Sequence, residues 1–217
     1  DFDYEMWLGP APWTPYTPKR VLSPFWFHTS DYSLGYVAGW GIHHVDIAQW
    51  GAGTELTGPV EIEGSGRFPP NDSICDNPVN WDIDMKYANG VTMSFTSDGG
   101  KNKHGTLFEG TEGWVYVNRS DFDTYPKSLM KDKIGPNEIH LPASTQHQQN
   151  LLDCMRTRTE PVCPIDIAVR SDMICHLSYH AIHLGRPLQW NPDKEEFVND
   201  PAANQRLKRA MRSPWHL

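Results

Sequence analysis

The sequence predicts an α+β fold, with one large, open, mostly antiparallel sheet and helices packed on one of its faces. Residues with the alternating pattern of strands are grouped in the middle of the chain, between residues 59 and 119. One helical segment precedes this group, and longer helical segments follow it. Strands that are grouped in this way, and do not alternate with single helices, are typical of α+β domains.

The first 30 residues differ in composition from the remainder and form a separate predicted unit. Residues 9–24 contain five prolines, a density that excludes a continuous helix. We therefore expect residues 1–30 to be a Pro-rich arm or loop that lies on the surface of this chain or of a partner. Residues 31–217 are expected to form the domain itself. The opening run, DFDYEMWLGPAPW, indicates the interior of a longer chain.

The first predicted helix covers residues 41–51, GIHHVDIAQWG, and glycines mark both of its ends. The periodicity then changes, and residues 59–68 alternate as a strand does. A hairpin is predicted over residues 81–99, because Asn89-Gly90 separates two alternating runs and suits the tight turn between adjacent strands.

A second hairpin is predicted around residues 107–119, and Ile139 and Leu141 predict a further short strand. Helical spacing returns at residues 145–158 and 166–184, and a last short helix is predicted over about residues 202–211.

Arg170 lies on the apolar stripe of the helix predicted over residues 166–184. A buried guanidinium needs a carboxylate or several carbonyl groups as partners. We interpret Arg170 as part of a structural ion pair, with Asp153 or Asp166 as its partner. The alternative is a contact with an anion or a substrate.

Composition excludes several classes of function. The net charge is −8 and no basic stripe is present, so we expect no nucleic-acid binding. The apolar runs are too short to span a membrane. The four cysteines are widely spaced, which favours free thiols, and a Cys154–Cys163 disulfide stays open as the alternative. No G-x-G-x-x-G motif follows a strand, so this chain is not expected to bind a dinucleotide by itself.

Several segments together resemble the C-terminal part of Gfo/Idh/MocA-type sugar oxidoreductases. The run GYVAGWGIHHVDIAQWG is similar to the family segment G-G-x-x-x-D-x-G-x-H-x-x-D. Further segments agree with the family in the same order along the chain: MWLGPAPW at 6–13, YANGV at 87–91, FEGTEGWVYVNR at 108–119, HQQNLLDCMRTRTEPV at 147–162 and LGRPLQWNP at 184–192.

The resemblance implies an architecture of two domains. An N-terminal Rossmann domain would bind NAD or NADP and supply a lysine from a Glu-Lys-Pro motif, which this chain lacks. The second domain would bind a sugar-like small molecule and form a homo-oligomer through the face of its sheet. The coenzyme is therefore expected in the full-length protein, bound mainly by the absent domain, and no cofactor is expected for this chain alone.

The resemblance places the proton-transfer histidine of the family on His43 and the family aspartate on Gly39. Glycine has no side chain to orient an imidazole, so either the chemistry differs or Asp46 takes part of that role. His43 and Asp46 share a helical face, which suits an acid/base unit. The alternative is a surface pair that only packs. His43 and His44 point about 100° apart on a helix, so we expect no metal site there.

Aromatic and polar side chains near this motif are candidate substrate contacts, because sugar faces combine C–H patches with hydroxyl rims. For each of them the alternative is packing in the core or at an interface. The candidates are Trp26, His28, Tyr36 and Trp40, with Lys101 and His104 from the loop after the first hairpin and Arg170 from the later helix.

Three functions are consistent with the sequence. The first is the substrate-binding part of an NAD(P)-dependent sugar or cyclitol oxidoreductase, in which His43 transfers a proton. The second is a related glycosidase or lyase that uses NAD without net redox change, which the glycine at position 39 favours. The third is a stand-alone, non-catalytic oligomerisation or sugar-binding domain.

Overall fold

The computed structural model describes residues 1–97 and 103–215, and its secondary structure confirms the α+β class. The helices of this described part are α1 (Tyr4–Leu8), α2 (Pro18–Val21), α3 (Tyr36–Gly39), α4 (Gly41–Ala52), α5 (His147–Thr157), α6 (Ile165–Leu184) and α7 (Pro201–Gln205). The strands are β1 (Glu61–Arg67), β2 (Asn80–Lys86), β3 (Thr92–Thr96), β4 (Thr106–Gly110), β5 (Gly113–Val117), β6 (Phe122–Tyr125), β7 (Leu188–Asn191) and β8 (Glu196–Phe197).

The described strands divide between two sheets. The larger has the order β3-β2-β1-β7-β8 and the smaller the order β4-β5-β6. All the strand pairs are antiparallel. Both predicted hairpins are confirmed, as β2–β3 and β4–β5. The sequence did not predict β6, β7 or β8, because strands of four residues or fewer are too short to show a clear alternation.

Helices cover one face of the larger sheet. Ile62 of β1 and Ile83 of β2 are buried, and they form a core with Ile174 and Leu177 of α6. Their neighbours along each strand point away from the helices, as the two-residue period of a strand requires. This open face is exposed and bears four carboxylates, those of Glu61, Glu63, Asp82 and Asp84.

Helix α4 contacts both sheets through two of its glycines. A Cβ atom at Gly41 would lie 2.5 Å from the ring of Phe95 in β3, and one at Gly51 would overlap the ring of Phe108 in β4. Only glycine lets the two rings approach the helix backbone so closely. The glycines that mark the helix in the sequence therefore also fix its position between the two sheets.

A buried polar network fixes the C-terminal half of α4. The side-chain oxygen of Gln49 accepts hydrogen bonds from the Tyr87 hydroxyl at 2.9 Å and from the Thr54 hydroxyl at 2.7 Å. Burial raises the pKa of the Tyr87 phenol, so this group stays protonated and remains a donor. The network joins α4 to the turn between β2 and β3, where Tyr87 lies two residues before Asn89.

The Pro-rich arm lies on the chain's own C-terminal segment. The Arg212 guanidinium donates to the carbonyl oxygens of Gly9 at 2.9 Å and Ala11 at 3.2 Å, and the Arg212 amide donates to Pro10 at 3.1 Å. The arm contains the short helices α1 and α2, and α2 begins with Pro18, as proline at the first helical position allows.

Two of the predicted elements need correction. Ile139 and Leu141 belong to no strand and are exposed, so the short strand predicted there is wrong. Two apolar residues alone do not establish a strand without a partner that pairs with them. The last helix spans Pro201–Gln205, not residues 202–211.

Arg170 pairs with a different carboxylate from those expected. Its guanidinium lies 3.0 Å from a carboxylate oxygen of Glu195 and donates to the carbonyl of Pro192 at 3.2 Å. The interpretation as a structural ion pair therefore holds, but the partners Asp153 and Asp166 are wrong. The loop before β8 brings Glu195 to α6, a contact that helical spacing alone could not predict.

The four cysteines are free thiols, so the alternative of a Cys154–Cys163 disulfide is not realised. Cys154 and Cys175 are buried, whereas Cys163 is exposed. Burial raises the pKa of the Cys175 thiol, which keeps it protonated and unreactive. Across residues 1–97 and 103–215, no helix is both long enough and apolar enough to cross a membrane.

Candidate functional site

The start of α4 presents an exposed tryptophan and an exposed histidine side by side. Trp40 lies between α3 and α4, and 41% of its surface is accessible. His43 lies in the first turn of α4 and is also exposed. Their ring centroids are 5.3 Å apart and the rings are nearly perpendicular, at 75°. A spacing of three residues places both side chains on one face of the chain at this point.

Two more imidazoles and a guanidinium surround Trp40. The indole Nε1–H donates to His104 Nε2 at 2.6 Å, and the two rings stack with centroids 5.8 Å apart. His44 Nε2 lies 3.1 Å from the same His104 nitrogen. The guanidinium carbon of Arg119 is 5.2 Å from the centre of the Trp40 ring, a distance suited to a cation–π contact. We call these five residues the Trp40 cluster: Trp40, His43, His44, His104 and Arg119.

The smaller sheet positions His104, one member of this cluster. His104 lies two residues before β4, and its carbonyl accepts hydrogen bonds from the Tyr116 hydroxyl at 2.7 Å and from the Asn118 side-chain amide at 3.2 Å. Thr106 at the start of β4 donates its hydroxyl to the carbonyl of His44 at 3.2 Å. The smaller sheet and the start of α4 are therefore joined at His104 and Thr106.

The electrostatics of the cluster favour neutral imidazole at His44. Partial burial lowers the pKa of His44 below its usual value, and the neighbouring His104, Arg119 and His43 lower it further. Desolvation and nearby positive groups both disfavour an added proton on an imidazole.

Asp46 lies on α4 but interacts with α6. Its carboxylate accepts a hydrogen bond from the Ser171 hydroxyl at 2.7 Å. Ser171 is buried and Asp46 is half-buried, so this contact joins the two helices. Within the described part of the chain, the partner of Asp46 is Ser171, and no hydrogen bond joins Asp46 to His43. The geometry supports His43 as the exposed group and Asp46 as a helix-to-helix contact.

The other aromatic candidates form a second group, next to α3. The rings of His28 and Tyr36 lie 4.9 Å apart, and Phe27 contacts both Tyr36 and Trp26 edge to face. Tyr36 is 55% exposed and Trp26 is 38% exposed, whereas His28 is half-buried. Burial lowers the pKa of His28, which favours its neutral form.

Comparison with protein families decides the identity of this arrangement. The family model described as "Oxidoreductase family, C-terminal alpha/beta domain", of the Gfo/Idh/MocA group, matches residues 1–217. The chain belongs to the Gfo/Idh/MocA oxidoreductase family. No curated protein sequence matches this chain significantly.

Solved structures of other oxidoreductases share the fold of this Gfo/Idh/MocA domain. An NAD-binding protein from Listeria innocua is 15% identical, with a TM-score of 0.53, over 83% of this chain and 55% of its own. The aldose-aldose oxidoreductase from Caulobacter crescentus, complexed with glycerol, is 17% identical, with a TM-score of 0.54, over 81% and 52%. The WlbA dehydrogenase from Bordetella pertussis, in complex with NADH and UDP-GlcNAcA, is 14% identical, with a TM-score of 0.55, over 78% and 49%. This chain spans about half the length of these structures.

Gly39, which the resemblance places at the family's aspartate position, adjoins the ring of Phe27. A Cβ atom at Gly39 would overlap that ring, so a larger residue fits there only if the ring moves. Phe27 lies where a side chain at position 39 would begin.

The described strands do not form a dinucleotide site. A Rossmann unit needs parallel strands joined by a helix whose N-terminus binds the pyrophosphate. All the strand pairs in the described ranges are antiparallel, so the residues present do not fit this part of NAD or NADP. No metal arrangement of three or more His, Cys, Asp or Glu side chains occurs in those ranges either.

The structure brings together some of the predicted site residues but not all. Trp40, His43 and His104 meet in the Trp40 cluster, and Trp26, His28 and Tyr36 form the neighbouring aromatic group. Arg170 is engaged with Glu195. Lys101 lies outside the described residues.

Two members of the cluster were not predicted as site residues. His44 was considered only as a metal ligand, and its spacing gave no reason to expect His104 beside it. Arg119 follows β5 and reaches Trp40 from a distant part of the chain. A contact between residues so far apart in the sequence leaves no periodic signal, so only the arrangement of the two sheets around α4 reveals it.

Proposed function

We propose that this chain is the substrate-binding part of an NAD(P)-dependent sugar or cyclitol oxidoreductase, with His43 as its proton-transfer residue. One observation supports this assignment above the others: His43 is exposed beside the exposed ring of Trp40, at the family's histidine position. An exposed imidazole can reach a substrate hydroxyl, and the indole face offers an apolar surface for the C–H groups of a sugar ring.

The proposed oxidation removes a proton and a hydride from the substrate, and each goes to a different acceptor. In the oxidation direction, the substrate hydroxyl loses its proton to His43 and the same carbon loses hydride. A nicotinamide coenzyme, if bound by the complete protein, would supply the acceptor for that hydride. His43 needs a neutral, accessible ring nitrogen for this step, and general base catalysis by a histidine contributes about 10²- to 10⁴-fold in rate.

Replacement of His43 in the complete gene product tests this role. We expect His43→Ala to lower kcat by about 10²- to 10⁴-fold, because proton transfer would lose its acceptor. His140 is an exposed histidine in a loop between β6 and α5, so His140→Ala is a matched control that should retain normal turnover. Turnover of His43→Ala equal to that of the control would refute the assignment.

A second candidate function is supported by the packing at position 39. Gly39 has no side chain and the Phe27 ring occupies the space beside it, so position 39 supplies no carboxylate for ordinary dehydrogenation. A glycosidase or lyase of the same family would instead use bound NAD for transient oxidation and return the hydride. Product analysis separates the two: net NAD(P)H formation supports the dehydrogenase, and glycoside cleavage without net redox change supports the alternative.

A further inference from the structure

The hydrogen bond between Trp40 and His104 fixes the position of the proton on His104. An indole N–H can only donate, so His104 Nε2 must present its lone pair at 2.6 Å from Trp40 Nε1. A neutral imidazole with a bare Nε2 bears its proton on Nδ1. His104 is therefore a neutral ring in the Nδ1–H form.

His44 lies beside this hydrogen bond. Its Nε2 is 3.1 Å from His104 Nε2. An imidazole nitrogen has a single lone pair, and the indole N–H engages it at the shorter distance of 2.6 Å. His104 Nε2 is therefore the acceptor for Trp40, and its contact with His44 assigns no tautomer to His44.

This acceptor is anchored by an element other than the one that bears Trp40. The His104 carbonyl is held by the Tyr116 hydroxyl and the Asn118 amide, both from the smaller sheet. Trp40 itself precedes α4. Without the acceptor, an indole exposed at 41% of its surface would have several side-chain rotamers available.

We infer that His104 is a positioning residue. Its Nε2 atom holds the Trp40 indole in the orientation that is nearly perpendicular to the His43 ring. The Trp40 and His43 rings meet at 75° with centroids 5.3 Å apart, so the orientation of the indole determines one wall beside the proton-transfer imidazole. The sequence had suggested His104 as a substrate contact. Its Nε2 is instead occupied within the protein, and its effect reaches the substrate through Trp40. The role for His43 in this inference rests on the proposed function.

Nitrogen NMR of the 217-residue chain at pH 8 tests the arrangement without any activity. We expect ¹⁵N shifts that place the proton of His104 on Nδ1, and a scalar coupling between Trp40 Nε1 and His104 Nε2. We also expect a ring-current shift of the His43 ring protons from the perpendicular indole. A proton on His104 Nε2, or a missing coupling with normal His43 shifts, would overturn the inference.

A pair of substitutions separates positioning from folding. His104→Gln keeps an acceptor oxygen near the position of Nε2, whereas His104→Leu removes it. We expect the His43 ring-current shift to be retained in the Gln variant and lost in the Leu variant, while the indole signal of the buried Trp190 stays unchanged in both. Equal His43 shifts in the two variants, with Trp190 intact, would show that Nε2 does not position the indole.

Kinetics of the complete gene product add a readout that a merely structural role would not give. His104→Leu should lower kcat by about five- to tenfold with a smaller change in KM, and His104→Gln should restore most of it, since one positioning hydrogen bond is lost and regained. If both variants match the wild type in kcat, the inference fails. If His43→Ala alone leaves turnover unchanged while the NMR results are as expected, the proposed function fails and the tautomer arrangement stands.

Discussion

Phe27 and Gly39 meet at the beginning of the candidate site, and their contact determines which side chains the site can contain. The ring occupies the space of a Cβ atom at position 39. Gly39 is exposed and Phe27 is half-buried, so an added carbon at position 39 requires the Phe27 ring to turn away. The missing side chain at position 39 is thus linked to Phe27, and a carboxylate introduced there would need the same movement.

Gly39→Ala should therefore destabilise the protein by about 0.5 to 1.5 kcal/mol, the cost of turning the Phe27 ring away from its preferred rotamer. In a Phe27→Ala background the same substitution should cost much less, because the ring that it would overlap is gone. Urea unfolding of the wild type, both single variants and the double variant gives the coupling between the two sites. Additive effects of the two substitutions would show that the ring does not limit position 39.

The buried side chain of His180 is expected to make the stability of the protein depend on pH. Burial, together with Arg206, His176 and other positive neighbours, lowers the pKa of His180 to about 4, whereas an unfolded histidine titrates near its usual value of 6.5. As pH falls through 6.5, the unfolded chain binds a proton that the folded chain does not accept until about pH 4. The stabilisation from neutral His180 is therefore complete above about 6.5 and is lost between that value and about 4.

The expected loss from His180 is roughly 2 to 3 kcal/mol in the free energy of unfolding. Denaturation curves at pH 7 and pH 4.5 measure it, and His180→Gln should make the difference between the two pH values smaller. His140→Gln, in an exposed loop, is the control that should keep the wild-type pH dependence. Equal pH dependence in His180→Gln and the wild type would contradict the assignment to His180.

At the scale of elements, α4 is the part of the fold on which the site depends. Gly41 and Gly51 seat the helix against one sheet each, and Asp46 joins it to α6 through Ser171. His43 and His44 occupy the turn between these contacts. The positions of the two imidazoles are therefore fixed, because α4 is in contact with the larger sheet, the smaller sheet and α6.

The role of Asp46 can be separated from that of His43. Ser171→Ala removes the hydroxyl that donates to Asp46 and should lower stability by about 1 to 3 kcal/mol, because it leaves a half-buried carboxylate without this donor. Asp46→Asn should likewise reduce stability but leave kcat within about twofold, since geometry assigns no proton transfer to it. Thermal unfolding and steady-state kinetics on the same samples make the comparison. A large loss of kcat in a fully folded Asp46→Asn variant would instead make Asp46 part of an acid/base unit.

At the scale of the whole molecule, the larger sheet has a buried face and an acidic face. Glu63 of β1 lies directly opposite Asp84 of β2, and like charges in such cross-strand positions repel. A shallow cavity of about 310 Å³ lies on this face, bordered by these two carboxylates, Asp82 and Arg186. The homo-oligomer proposed through this face would bring two such acidic surfaces together.

Association through the open sheet face should therefore strengthen with salt. Dissolved ions reduce the repulsion between the two copies. The screening length is about 10 Å at 0.1 M ionic strength and becomes shorter as the salt concentration rises. The double variant Asp82→Asn/Asp84→Asn should associate more tightly than the wild type at low salt. Asp72→Asn/Asp132→Asn removes the same charge from exposed positions outside the strands and is the matched control. Sedimentation velocity at low and high salt measures the association, and identical behaviour of both double variants would exclude this face as the interface.

Short windows of the sequence were sufficient to predict the α+β class, the helix that became α4, and both hairpins. Helical spacing, strand alternation and an Asn-Gly turn are each encoded within a few neighbouring residues. The family resemblance, now supported by a match over residues 1–217, also made His43 and Trp40 candidate site residues from one continuous run.

Only the tertiary structure decided what surrounds those residues. Trp40 and His104 are 64 residues apart, and Asp46 and Ser171 are 125 apart. Such contacts depend on how α4 packs between two sheets and α6, and no local pattern records that packing. The sequence by itself thus determined α4, both hairpins and the position of His43 in the chain, whereas side-chain packing between distant elements determined the tautomer of His104, the partner of Asp46 and the contact of Phe27 with Gly39.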